Sequence, residues 1–202
     1  CGDETNAFGA AFIGYQEIVN DGKASAKIKF KDFCVGPKAA GDLELAKEKY
    51  AGEVIFERVD NPNAVLARLL HEGKIVARCS GRMEFGARAL GNRSILAAPD
   101  DYRVIKQINT AIKKRDFWMP FAPAILLEEA DKLIDIPKSL QISYSPYMMF
   151  TFPVKPGMAD KIIAGTHQAD STVRAQLVDE DLYEVCYTGP PETMNVGICL
   201  PN

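Results

Sequence analysis

The sequence predicts a mixed α/β domain built round a twisted sheet flanked by helices. Three observations carry this reading. Segments of helical periodicity alternate with short β-rich runs along most of the chain, and no internal repeat or low-complexity tract interrupts them. Of the 202 residues 47% are hydrophobic and 25% charged, an ordinary globular balance. At this length one full domain plus a partial element is expected, and its core needs neither disulfide nor metal to hold it.

Taken in order, residues 6–18 are Ala- and Phe-rich with a helical rhythm that Asp21-Gly22 ends. Residues 23–38 read as a mixed connector containing Gly36-Pro37, and residues 43–50 as a short helix. A β-rich run follows at 53–59. Asn61 and Pro62 then occupy the N-cap and first position of a helix whose Val65, Leu66, Leu69 and Leu70 share one face, and Gly73 can end it. Residues 74–79 read as a second strand. Pro99, Asp100 and Asp101 open another helix, the two acids favouring its positive end. Ile105, Ile108 and Ile112 form its apolar stripe, and Lys113, Lys114 and Arg115 its last turn. Later strands are expected at 121–127, 147–154 and 172–178, with helical turns at 128–134 and 181–187.

The formal net charge of −3 argues against a general nucleic-acid or membrane-surface protein. No apolar run reaches the roughly 18 residues of a membrane span, and the N-terminus lacks the basic and apolar regions of a signal peptide. Five cysteines (Cys1, Cys34, Cys79, Cys186, Cys199) form no C-x-x-C pair, which suggests free thiols in a reducing compartment. Two histidines, His71 and His167, are too few for a His-rich metal cluster. A cytoplasmic protein is expected, and the opening at Cys1 without an initiator Met suggests a piece of a longer chain.

Charge is unevenly spread. Residues 78–115 hold nine basic side chains against three acids, a net of +6, so the remainder carries −9. A basic block inside an acidic protein points to a local anion site. At its centre lies Gly81-Arg82-Met83-Glu84-Phe85-Gly86-Ala87-Arg88-Ala89-Leu90-Gly91-Asn92-Arg93-Ser94. Glycines recur every five residues, and Arg82, Arg88 and Arg93 flank a single carboxylate, Glu84. Glycine lets backbone approach a ligand closely, and guanidinium groups bind phosphate or carboxylate in a bidentate manner. The spacing is neither a dinucleotide fingerprint nor a P-loop. The plain alternative is a surface loop in which Glu84 pairs with an arginine.

This stretch resembles the signature of the carbamoyltransferases that decorate antibiotics and nodulation factors. Lys113 to Pro123 (KKRDFWMPFAP) resembles the family's second basic segment, Ser145 to Pro153 (SPYMMFTFP) its hydrophobic strand, and His167 to Val178 (HQADSTVRAQLV) its His…Asp…Arg-x-Gln segment. The opening Gly2 to Ala11 looks like the last motif of the family's actin-like N-terminal domain. The resemblance implies that residues 1–20 are a tail of that domain, 21–52 a connector, and 53–202 a YrdC-like domain, truncated at its C-terminus. Such a domain forms carbamoyl adenylate from carbamoyl phosphate and ATP, with Mg2+ on the nucleotide. The actin-like domain then passes the carbamoyl group to a small-molecule hydroxyl.

By the same resemblance, Arg88, Lys113 and Arg174 fall where the family places anion-binding side chains, with Arg82, Arg93 and Arg115 as secondary candidates. Glu84, Ser94, His167, Gln176 and Asn195 are further substrate- or nucleotide-binding candidates. Asp3 falls on a carboxylate that helps hold an iron-type divalent metal in the actin-like domain; on its own it reads as a helix N-cap. For each cation the alternative is a solvated charge, and Lys113 to Arg115 could simply complement the negative end of their helix. His167, near Asp170, could donate to phosphate, shuttle a proton or cap a turn. Trp118, Phe121 and Phe150 read as packing. Ala87 stands where the signature usually has proline and Met119 where many members have arginine. The Asn-Thr-Ser-Phe-Asn motif is altered to Asn195-Val196-Gly197-Ile198-Cys199. A non-catalytic nucleotide- or RNA-binding module and a degenerate scaffold therefore stay open as alternatives.

Overall fold

A computed structural model describes residues 4–22, 32–38, 42–140, 145–178 and 197–199. The helices are α1 (Glu4–Asn20), α2 (Leu43–Lys49), α3 (Pro62–His71), α4 (Arg103–Ile108) and α5 (Leu127–Leu133). Among the described residues seven strands accompany them: β1 (Val76–Cys79), β2 (Arg93–Leu96), β3 (Ala122–Leu126), β4 (Phe152–Pro153), β5 (Thr172–Val173), β6 (Gln176–Val178) and β7 (Gly197–Cys199). The mixed α/β class holds, but among the described residues these strands are shared among three short sheets, β1-β2, β6-β3-β7 and β4-β5, instead of one continuous sheet.

Cap chemistry places several helices. The Asn61 side chain accepts from the Ala64 N–H at 3.0 Å with Pro62 behind it, so α3 starts where the cap allows. Asp42 caps α2 in the same manner, accepting from Leu45 N at 3.0 Å.

β3 is the hub. It runs parallel to β6, Ala124 facing Gln176, and antiparallel to β7, Ala124 facing Gly197. Alternation along it sends Ala122 and Ala124 into a core with Phe33, Leu66, Leu90 and Leu96, and Ile125 into a second core with Leu133, Phe152, Ile162 and Leu177. A third cluster joins Val104, Ile105 and Ile108 to Phe121 and Ala164. A Cβ on Gly165 would lie 2.7 Å from Pro123 Cδ, so only glycine lets the 3-10 turn Ala159–Gly165 close on β3.

Four expectations need correction. Residues 53–59 form no strand: they find no sheet partner among the described residues, and Ile55 is 94% exposed. The strand expected over 147–154 shrinks to β4, because Met149 and Phe150 point to solvent. The strand expected over 172–178 breaks in two. β5 pairs with β4 and β6 with β3, so Arg174 and Ala175 lie where the chain changes sheets. The stripe on the fourth helix also fails at its end. α4 passes into a π-turn, Asn109–Lys113, whose wider winding throws the stripe out of phase, leaving Ile112 46% exposed while Ile105 and Ile108 are buried. The helical turn expected at 181–187 lies outside the described residues.

Candidate anion-binding site

The Gly81–Ser94 stretch is the long connection of the β1-β2 hairpin, whose register runs from Val76 opposite Leu96 to Cys79 opposite Arg93. Gly81, Gly86 and Gly91 all have positive φ (55°, 102° and 120°), so the five-residue glycine spacing marks three left-handed turns of the backbone. Glu84 organises the loop. The residue is 8% exposed, and its carboxylate accepts from the backbone N–H groups of Leu90 (2.9 Å), Asn92 (2.7 Å) and Arg93 (3.1 Å). The plain alternative, a Glu84 paired with an arginine, is not what the loop uses: charge-assisted bonds to three backbone N–H groups satisfy the carboxylate instead. Ser94 Oγ, also buried, accepts from Gly91 N at 3.0 Å, and Gln176 Nε2 on β6 donates to Leu90 O at 3.0 Å, tying the loop to the central sheet.

Most of the loop's basic side chains are builders too. Arg93 donates to Ser80 O (2.7 Å) and Asn92 O (2.9 Å), and Arg78 to Gly91 O (2.6 Å). Arg82 donates to Gly36 O at 2.9 Å and also to Val35 O, stitching residues 32–38 to the loop. Asn92 donates to Arg82 O (2.8 Å) and Cys34 Sγ (3.3 Å). Among the described residues Cys34 and Cys79 are free thiols.

Arg88 is different. Half-buried at the far side of the loop, its proton affinity is lowered by burial and then by the charge of Arg174, with Glu4 at the start of α1 opposing. Arg115 is lowered by burial and by Arg88, and Lys113 by burial and by Arg115. The loop, the π-turn and the β5-β6 junction thus bring Arg174 within electrostatic range of Arg88, Arg88 of Arg115, and Arg115 of Lys113, a chain of neighbouring cations. Arg115 lies 4.9 Å over the Phe121 ring, its Nε donates to Asn109 Oδ1 at 2.7 Å, and its buried Nη2 has no hydrogen-bond partner. Clustered cations of this kind are suited chemically to an anionic ligand.

The other candidates lie differently. His167 Nδ1 is 3.2 Å from Asp170 Oδ1 in an exposed turn before β5. Asp170 is held below the usual carboxylate range mainly by the hydroxyl and N–H of Thr172 and only secondarily by His167. Asp3 and Asn195 lie outside the described residues. Of the three aromatics read as packing, Phe121 is buried; Trp118 and Phe150 are corrected to surface positions, 51% and 42% exposed. Asn109 was not singled out by sequence; the available signal was a polar residue directly following the last buried position of an apolar stripe. Among the described residues no three His, Cys, Asp or Glu side chains gather to hold a metal, and no helix is long and apolar enough to cross a membrane.

The family model described as Carbamoyltransferase C-terminus matches residues 67–188, which take in the hairpin loop, the π-turn and Arg174. The chain belongs to the carbamoyltransferase C-terminal family. Relatives of this carbamoyltransferase C-terminal chain agree. It is 34% identical over 95% of its length to nodulation protein NolNO of Sinorhizobium fredii, spanning 29% of that protein. It is 33% identical over 85% of its length to nodulation protein NolO of Bradyrhizobium diazoefficiens, spanning 31% of it. An uncharacterized protein of Methanocaldococcus jannaschii is 33% identical over 89% of this chain, which spans 29% of that protein. The chain thus covers less than a third of each of these relatives.

Proposed function

We propose that this chain forms carbamoyl adenylate from carbamoyl phosphate and ATP, and that an actin-like domain of the whole protein transfers the carbamoyl group to a small-molecule hydroxyl. The observation that carries this reading is the convergence of Arg88, Arg115, Lys113 and Arg174, whose charges oppose one another. Two polyanionic substrates relieve that repulsion, and family membership supplies the carbamoyl chemistry.

The step balances as an in-line displacement. Water first cleaves carbamoyl phosphate to carbamate and inorganic phosphate; a carbamate oxygen then attacks the α-phosphorus of ATP, the bond from that phosphorus to the bridging oxygen of the β-phosphate breaks, and pyrophosphate leaves. Charge builds on the phosphoryl oxygens during that displacement, and fixed guanidinium groups stabilise it without reorganising. Arg88 and Arg174 would grip phosphoryl oxygens from the loop and from the sheet junction, with Arg115 and Lys113 closing the cluster. Among the described residues no donor set fits a protein-held metal. In this reading Mg2+ arrives on the nucleotide's phosphates, and the iron-type metal toward which Asp3 is expected to contribute belongs to the actin-like domain.

The test is exchange of labelled pyrophosphate into ATP by the purified chain. Exchange that depends on carbamoyl phosphate and is lost in Arg88→Ala supports the reading. Absence of exchange in a folded chain that binds both substrates removes it, and efficient transfer to an acceptor hydroxyl by this chain alone contradicts the division between two domains.

A further inference from the structure

Asn109 is fully buried, and a buried primary amide must place two donors and one acceptor. Its Nδ2 donates to Met119 O at 2.9 Å and to Phe117 O at 3.4 Å, while its Oδ1 accepts from Arg115 Nε at 2.7 Å. Its carbonyl also accepts from Arg115 N at 3.1 Å. Asn109 is the first residue of the π-turn, and Lys114, which ends that turn, adopts a left-handed conformation (φ 51°, ψ 49°). Those two departures from regular helix bring Arg115 back over Asn109. The ring of Phe121 fixes the face of the guanidinium and Asn109 fixes its Nε edge. Nη2 is the group left without a partner. A π-turn inserted in an otherwise regular helix is a recurrent device at functional sites.

We propose that Asn109 is a positioning residue that clamps Arg115 by its Nε edge, so that the place and orientation of its charge in the cation cluster are set before the polyanion arrives. The proposal rests on the polyanion reading of the cluster and adds to it a residue that touches no substrate. A flexible arginine would lose rotamer freedom on binding; Asn109 removes that freedom beforehand, so affinity is gained through pre-organisation.

A merely structural Asn109, holding only the 109–119 segment through Met119 O, would look the same in a single substitution. A double-mutant cycle separates the two, read as ATP affinity by calorimetry with melting temperature recorded alongside. Arg115→Ala is expected to weaken ATP binding by roughly 10- to 150-fold. Asn109→Ala should weaken it by roughly 2- to 12-fold when Arg115 is present, and should add nothing in the Arg115→Ala background. An equal loss in both backgrounds, or no loss in either, overturns the proposal. If Arg88→Ala and Arg115→Ala both leave ATP affinity unchanged, the polyanion reading itself has failed, an outcome distinct from Asn109 failing alone.

Should Asn109→Ala not fold, the unaltered chain still decides by nitrogen-15 NMR. The Arg115 Nε–H should exchange with solvent more slowly than that of exposed Arg58, and ATP should shift the Arg115 Nη signals while leaving Nε in place. Fast Nε–H exchange, or a shift of equal size at Nε, overturns the clamp.

Discussion

The arginines of the hairpin loop and those of the cation cluster have the same chemistry and opposite situations. Arg78, Arg82 and Arg93 are satisfied by backbone carbonyls, and the carboxylate at the loop's centre is satisfied by three backbone N–H groups. Arg88, Arg115 and Lys113 are half-buried beside other cations, with Arg174 exposed among them, and each of the three is made less basic by burial and by a like charge. The first region is held by backbone partners; the second gathers cations whose charges oppose one another. Net charge along the sequence therefore marks a neighbourhood but not its members, because the +6 block supplies both the loop's walls and three of the four clustered cations, Arg174 coming from elsewhere.

Substitutions should separate these two regions, and the largest effect belongs to the wall. Glu84→Ala strands three backbone donors and should destabilise the chain by about 3 kcal/mol or more, measured by urea unfolding. A loss below about 1 kcal/mol would show that water or loop rearrangement replaces the carboxylate. Arg88→Ala should do the reverse. Roughly 10- to 150-fold weaker binding of ATP is expected with an unchanged or slightly raised melting temperature, since a like-charge contact is removed.

A subtler effect comes from Lys113. Its folded-state pKa lies below the ordinary lysine value of 10.5, so the unfolded chain binds more protons in the window just under 10.5. Stability contributed by this group should therefore rise with pH through that alkaline window. Lys113→Met should abolish that part of the rise, seen as convergence of the two proteins' stability–pH curves, and saturating phosphate should flatten it in the unsubstituted chain. Identical slopes for the two proteins would mean Lys113 is solvated. The smallest effect is expected from Arg103→Ala. Arg103 lies on α4 outside the motif and pairs with Asp101 at the surface, so ATP affinity should change less than about twofold.

Local chemistry was legible in the sequence, and contacts set by distant chain were not. Asn61 and Pro62 announce α3 because a cap needs only its own first turn. The β-rich look of 53–59 failed because a strand requires a partner, and periodicity carries no knowledge of one. Ile112 was misread because a 3.6-residue rhythm cannot register the π-turn that follows Ile108. The break at Arg174–Ala175 follows from β5 and β6 joining different sheets, which no propensity encodes. Within the site, Arg88, Lys113 and Arg174 are separated by 25 and 61 residues, read off their positions, and it was resemblance that grouped them. The structure sets Arg174 beside Arg88 and joins Lys113 to them through Arg115, and shows Glu84 and Arg93 acting on backbone, a role that residue type alone does not reveal.

The most direct test of the cluster as a polyanion site is the affinity of the chain for ATP in Arg174→Ala beside Arg103→Ala, measured by calorimetry at one fixed salt concentration. Both side chains are exposed, so neither substitution should disturb folding. The cluster predicts roughly tenfold or greater weakening for Arg174→Ala and near-unchanged affinity for Arg103→Ala. Equal losses from the two would show that bulk charge attracts the nucleotide, and would contradict the existence of a formed site.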